Sequence, residues 1–363
     1  MAEQDEWLPF DEAAPGLLQQ LRAHRPVWVS LLAVALIALA LVVVALGRTS
    51  KNPSGAPTAS GAVAPFLGFD PALAYDPKHR QIVLVNNPGQ TWLWANQAWT
   101  WAQPPGASSP KGCCGVAAWD PDLGRVLLFD AEPPGDAPPF TFTYAWDGAS
   151  WTQLETMAEY QPPPGAFSMA YDPAHHQMVL LVALGTPSGT IEIETWIYQE
   201  RRWRRRSNLD SSAFSVSTAV GFDAPSHSLL ALSSIDAGLN TQTSRWDGTG
   251  WHPLTPAHLP PSSGHMTLVN EPGSGRLLLL TEAYAPFGNA TVTETWLWNG
   301  HDWIERTPLA QNNVISYAVS AGRDLWAFQE VPPDARTTRS VAVFKWSGSS
   351  WDQVAVARVS PRR

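Results

Sequence analysis

Thr295-Trp296-Leu297-Trp298-Asn299-Gly300-His301-Asp302-Trp303 is one of six versions of the same phrase in this chain. The closing tryptophans of the six are Trp99, Trp151, Trp203, Trp251, Trp303 and Trp351, separated by 52, 52, 48, 52 and 48 residues. Each has an aromatic partner five positions earlier: Trp94, Trp146, Tyr198, Trp246, Trp298 and Trp346. The module holds 14 of the 19 tryptophans, so the largest side chains serve one repeated unit. Aromatics two apart, such as Trp296 and Trp298, fall on one face of a strand, and Asn299-Gly300, Asp147-Gly148, Asp247-Gly248 and Ser347-Gly348 supply turn chemistry before a second strand. Each copy is therefore a hairpin.

A second half precedes the hairpin in each period. An apolar segment ends in Tyr75-Asp76-Pro77, Trp119-Asp120-Pro121, Tyr171-Asp172-Pro173 or Phe222-Asp223, with Asn270-Glu271-Pro272 as a weaker copy. A short polar turn leads into an apolar run: Gln81 to Val85, Val126 to Phe129, Met178 to Ala183, Leu229 to Leu232, or Leu277 to Leu280. Four strands in a period of about 50 residues match a propeller blade, a small twisted sheet that buries its two faces only when neighbours stack on it radially. The fold class expected is all-β, a propeller of six blades.

The repeat resembles the kelch motif, as found in the central domain of galactose oxidase. An aromatic, six intervening residues and a tryptophan recur as Trp92 to Trp99, Tyr144 to Trp151, Trp196 to Trp203, Trp296 to Trp303 and Phe344 to Trp351. Ser244 takes the aromatic place in the fourth copy, and Asn86-Asn87 and Ser233-Ser234 stand where the family carries paired glycines. The resemblance covers about residues 66 to 358 and implies a frame that serves binding proteins and enzymes alike.

Ahead of the repeats the chain divides into a tail over residues 1–26, an apolar segment over 27–46 and a Pro/Gly/Ser-rich stalk over 47–65, with the propeller over 66–360. Val27 to Leu46 is 20 residues without a charge, about 30 Å as a helix, which matches a bilayer core, and Trp28 stands at its entrance. The run exceeds the h-region of a signal peptide, and an acidic tail precedes it, so a retained single-pass transmembrane helix is expected. Arg22 and Arg25 on one side balance Arg48 and Lys51 on the other. The order of tail, anchor, stalk and large domain places the propeller outside the cytoplasm. Two ring closures fit the frame: an added strand near Val63 to Phe69, or direct packing of the last blade on the first.

A formal net charge of −9 with four lysines excludes a nucleic-acid surface, which needs clustered positive charge. Cys113-Cys114, the only cysteines, are adjacent and outside the cytoplasm would tend to oxidise to a vicinal disulfide; two buried small side chains or a structural turn lock is the alternative reading. Arg201, Arg202, Arg204, Arg205 and Arg206 form the one dense charge run, at an outer edge where arginine deters edge pairing or holds an anion. His265 lies at the start of a first strand, where kelch repeats often carry histidine; a hydrogen-bonded core role is expected for it rather than catalysis, and it is also a candidate for the ligand face. Histidines on the turns of different blades stand too far apart to share a metal. Galactose-oxidase-like copper chemistry needs a cysteine joined to a tyrosine plus histidine ligands, which adjacent cysteines do not supply, so no cofactor is expected. Glu192, Glu194, Glu282 and Glu294 are expected to face solvent.

The long connections gather on one face of the disc, with Phe140, Tyr160, Tyr284 and Phe287 in or beside them, which marks that face as a recognition surface. The reading that results is a membrane-tethered binding or scaffolding propeller for an unidentified protein or glycan partner, with a cell-surface enzyme on carbohydrate or cell-wall polymer as the alternative. Carbonate washing should leave the chain on membranes, and protease added to spheroplasts should release the propeller from its tail. Full-length chain surviving protease on intact, accessible spheroplasts would refute the orientation.

Overall fold

A computed structural model of the protein describes residues 58–68, 71–87, 89–102, 110, 115–131, 140–154, 161–186, 191–209, 217–235, 240–261, 265–284, 291–310, 316–331 and 339–359. The tail, Val27 to Leu46, the first part of the stalk, Cys113, Cys114, Tyr160 and Phe287 lie outside them. Among the described residues no helix is long and apolar enough to cross a membrane.

After β1 (Thr58–Ala64) come six antiparallel sheets in chain order. Blade 1 is β2 (Ala72–Asp76), β3 (Gln81–Val85), β4 (Thr91–Ala95) and β5 (Ala98–Ala102); blade 2 is β6 (Val116–Asp120), β7 (Arg125–Ala131), β8 (Thr141–Trp146) and β9 (Trp151–Leu154). Blade 3 is β10 (Ala166–Asp172), β11 (Gln177–Gly185), β12 (Ile191–Gln199) and β13 (Arg202–Leu209); blade 4 is β14 (Thr218–Asp223), β15 (Ser228–Ile235), β16 (Asn240–Trp246) and β17 (Trp251–Pro253). Blade 5 is β18 (Met266–Asn270), β19 (Leu277–Tyr284), β20 (Thr291–Trp298) and β21 (Trp303–Ala310); blade 6 is β22 (Ser316–Ala321), β23 (Asp324–Val331), β24 (Ser340–Trp346) and β25 (Trp351–Val359). The six-bladed propeller is the architecture that the repeat predicts.

The second strand of each blade reads as an unbroken apolar run because neighbouring blades cover both its faces. Val126 to Phe129 and Leu229 to Leu232 are all fully buried. First strands are held at their ends by carboxylates: Asp76 Oδ1 accepts the backbone N–H of Lys78 and His79, and Asp120 Oδ1 those of Asp122 and Leu123. In blades 1 and 3 the last hairpin turns on two residues with left-handed backbone, Asn96-Gln97 and Glu200-Arg201, the geometry that matches strand twist. Gly148 and Gly248 take the left-handed region in longer turns, where a Cβ would run into the rings of His79 and His175.

The closing tryptophans are what join one blade to the next. Each packs at a tilt on its partner five residues earlier, with centroids 5.2 Å apart for Trp298 and Trp303 and 5.1 Å for Tyr198 and Trp203. Five of the six also donate the indole N–H across the interface to a third-strand threonine of the preceding blade. Trp151 reaches Thr91 at 2.9 Å, Trp203 reaches Thr143 at 2.9 Å, Trp251 reaches Thr195 at 2.8 Å, Trp303 reaches Thr243 at 2.9 Å and Trp351 reaches Thr295 at 3.1 Å.

The sixth interface, where the ring closes, departs from this rule. The threonine position in blade 6 is Val343, and the Trp99 indole N–H is buried without a partner. Apolar packing does the joining: Trp99 lies 5.0 Å from Phe328 and Trp94 lies 5.9 Å from Trp326. β1 adds to the outer edge of blade 6, parallel to β25, and the chain then crosses to blade 1. The crossing is fixed by Glu330, whose carboxylate accepts Leu67 N at 3.1 Å and Gly68 N at 3.3 Å and pairs with Arg339. The strand falls inside the stretch whose composition reads as stalk, because pairing with β25 uses backbone groups that small side chains leave accessible. Replacing Val343 by Thr supplies the missing acceptor with little change of shape, so V343T should stabilise by about 1 kcal/mol, while Thr143→Val at a regular interface should cost about 1–2 kcal/mol. Denaturant melts of the two variants check the pair, and equal effects would remove the threonine rule.

Candidate functional site

Two kinds of concave surface arise from this frame. The first strands of all six blades surround a central channel of about 890 Å³. Leu73, Val116, Phe167, Met266 and Val319 line its wall, and His265, Glu282 and Tyr317 stand at one end. His265 Nε2 lies 2.8 Å from Thr267 Oγ1, its ring meets Tyr317 edge-on at 5.0 Å, and its backbone N–H donates to Glu282 at 3.4 Å. Tyr317 in turn donates its hydroxyl to the Gly68 carbonyl at 3.3 Å. His265 is thus part of the wall at the channel mouth, and Glu282 lines the channel there instead of facing bulk solvent.

The second kind is the groove between neighbouring blades. Strand alternation sends Trp203 and Arg205 of β13, and Glu194, Trp196 and Tyr198 of β12, toward blade 2, where Trp203 meets Phe129 at 5.4 Å. Toward the rim of this groove, Arg205 Nη2 lies 2.9 Å from Glu192 Oε1 and 2.9 Å from Glu194 Oε1. Glu194 Oε2 accepts the Trp196 indole N–H at 2.8 Å. The Glu194 side chain is 9% exposed while Arg205 is 47% exposed, so a desolvated carboxylate anchors a guanidinium that still reaches solvent.

Blade 5 repeats part of this set in the groove with blade 4. Glu294 Oε2 accepts the Trp296 indole N–H at 2.9 Å, but Glu305 occupies the position that Arg205 holds in blade 3. Burial raises the Glu294 pKa, the Trp296 hydrogen bond lowers it, and the charge of Glu305 raises it further. Blade 1 carries a neutral version, Gln90 beside Trp92 at 3.5 Å with the exposed Trp101 opposite. Blades 2, 4 and 6 place Phe142, Gln242 and Ala342 at the carboxylate position.

Glu194 therefore corrects the expectation that these acids face solvent, because it is buried against the neighbouring blade, and Glu294 is half-buried. The repeated Glu-Thr-Trp at 194–196 and 294–296 is the sequence signal that marks them. Phe140 lies directly before β8 and is 57% exposed on the face of the long connections. Tyr284 ends β19 on that face, with its side chain outside the described residues. Arg201 sits in the tight turn, and Arg202, Arg204 and Arg206 alternate with the groove-facing Trp203 and Arg205 along β13. Among the described residues no group of three His, Cys, Asp or Glu is placed to hold a metal.

No family model matches the chain, and no curated protein does. Solved structures share the fold. AofleA from Arthrobotrys oligospora is 11% identical with a TM-score of 0.55, over 82% of this chain and 88% of that one. The fucose-specific lectin from Aleuria aurantia is 11% identical with a TM-score of 0.54, over 82% of this chain and 99% of that one. The SapL1 lectin in complex with alpha methyl fucoside is 14% identical with a TM-score of 0.56, over 81% of this chain and 97% of that one.

A carboxyl whose pKa is higher folded than unfolded contributes stability below its unfolded pKa and loses it as pH rises through the folded value. Glu294→Gln, which keeps the shape of the neutral form, should therefore raise the melting temperature at pH 7 and leave it nearly unchanged at pH 4. A variant less stable than the parent at pH 7 would contradict the account of this groove.

Proposed function

We propose that the protein is a glycan-binding propeller whose sites are the grooves between blades, with Glu194, Trp196 and Arg205 of blade 3 as the best equipped of them. The observation that carries this reading is the triad of carboxylate, guanidinium and indole within one groove. A sugar ring presents neighbouring hydroxyls that both donate and accept, and a flatter face of C–H groups. Glu192 accepts at the rim, Arg205 donates through a fork that the buried Glu194 holds in place, and the outer edge of the Trp196 indole borders them with an apolar surface. The fold that the lectins above share supports it, since in a propeller such grooves recur around the ring.

In this reading the kelch-like repeat supplies the frame, Val27 to Leu46 tethers it to a membrane, and the propeller meets glycans outside the cytoplasm. The long-loop face with Phe140 and Tyr284 is the second contact surface for a partner that extends beyond the groove.

A glycan array that includes fucosylated chains, followed by calorimetry on the strongest hit, tests the site. Glu194→Gln and Arg205→Gln should each weaken binding at least tenfold, about 1.4 kcal/mol, with the fold retained by circular dichroism. Full binding by both variants would move the site out of this groove.

A further inference from the structure

We propose that the outer strand of blade 3 makes this propeller selective for anionic polysaccharides, through a row of guanidinium groups formed by Arg202, Arg204 and Arg206. This deepens the glycan reading of the groove and rests on it. Because Trp203 and Arg205 point into the groove with blade 2, alternation puts Arg202 and Arg204 on the opposite face of β13, about 6.8 Å apart along the strand, and Arg206 follows where the register with β12 shifts. All three are exposed. Among the described residues Arg202 and Arg206 have no carboxylate partner, and Arg204 holds only the exposed Glu200, at 3.1 Å, a pair that an incoming anion can replace.

Edge protection alone does not account for the row. Arginine on an outer strand discourages pairing with another sheet, yet no other outer strand here carries more than one lysine or arginine, and β5, β9 and β17 carry none. In a chain of net charge −9, the five arginines within residues 201–206 are a local reversal of sign. A polymer of uronic acids, sulfated sugars or phosphorylated sugars meets that sign with oxyanion groups whose paired oxygens fit the guanidinium fork. The row and the groove share one strand, so a single chain seated at Arg205 and Glu192 passes over the edge of β13 onto the arginines.

A lipid headgroup surface is the competing occupant, and it fits less well. Membrane-surface sites pair their cations with exposed aromatic or aliphatic side chains, and none of the exposed large hydrophobics described lies in blade 3.

The full chain held in phosphatidylcholine nanodiscs is the material for the test. Its probes are a heparin-derived octasaccharide, a neutral dextran, inorganic polyphosphate and phosphatidylglycerol nanodiscs. The octasaccharide should bind more tightly than dextran. The triple variant R202Q/R204Q/R206Q should weaken it at least tenfold and reduce the slope of log K against log salt by about three. Glu194→Gln should also weaken the octasaccharide and leave polyphosphate unaffected. Undiminished octasaccharide binding by the triple variant overturns the proposal, as does dextran bound as tightly as the octasaccharide. Phosphatidylglycerol discs captured through the arginine row while the octasaccharide is not would assign the row to membranes and overturn it as well. If a neutral array hit still depends on Glu194 when the octasaccharide fails, the groove reading stands and only this proposal falls. If no glycan of either charge responds to Glu194→Gln, the groove reading falls and this proposal falls with it.

Discussion

The wedge of one tryptophan into the preceding blade, fixed by an indole N–H on a threonine hydroxyl, is the interaction on which the rest of this structure depends. A four-stranded sheet of this size has two apolar faces and cannot bury both alone. Radial stacking buries them, but hydrophobic contact is non-directional and does not by itself set how far one blade rotates against the next. A hydrogen bond inside that contact does: Trp203 and Thr143, 60 residues apart in sequence, meet only at one relative placement of blades 2 and 3. Both groups are removed from water there, so losing either leaves the other unsatisfied, and five interfaces keep both.

The closing interface is the exception that a ring requires. Blades 6 and 1 come from opposite ends of the propeller sequence and are joined by aromatic packing around Trp99 and by a parallel strand that runs ahead of the first repeat. Glu330 and Arg339 then hold the crossing chain, with the Arg339 guanidinium 4.8 Å from the Phe66 ring centre. The hydrophobic and backbone contributions at this seam stand in for the hydrogen bond that Val343 cannot accept.

The same blade face serves packing at one level and, under the proposed function, recognition at another. Trp203 lies deep between blades and is constrained by its neighbour, whereas Arg205, two residues on, reaches the rim. Chemistry varies at that outer level. Groove 2/3 sets a guanidinium against two carboxylates, groove 4/5 sets two acids near one indole, and groove 6/1 is neutral and aromatic. Their different charges give one scaffold several distinct surfaces.

How much of this was legible in the sequence follows from the range of the information. The spacing of Trp99, Trp151, Trp203, Trp251, Trp303 and Trp351, the alternating aromatics and the turn residues are local, and they determined the hairpins, the period and the number of blades. Alternation also put Trp196, Glu194 and, across a tight turn, Arg205 on one face, and the repeated Glu-Thr-Trp marked the place. What no local pattern contains is which surface covers that face. Glu194 became a buried anchor because blade 2 lies over it, and Glu282 came to line the channel because six first strands converge on one axis. The closing strand hides in a stretch without large side chains, since backbone pairing needs none. Desolvation and ring closure depend on neighbours distant in the chain, so only the tertiary structure decided them.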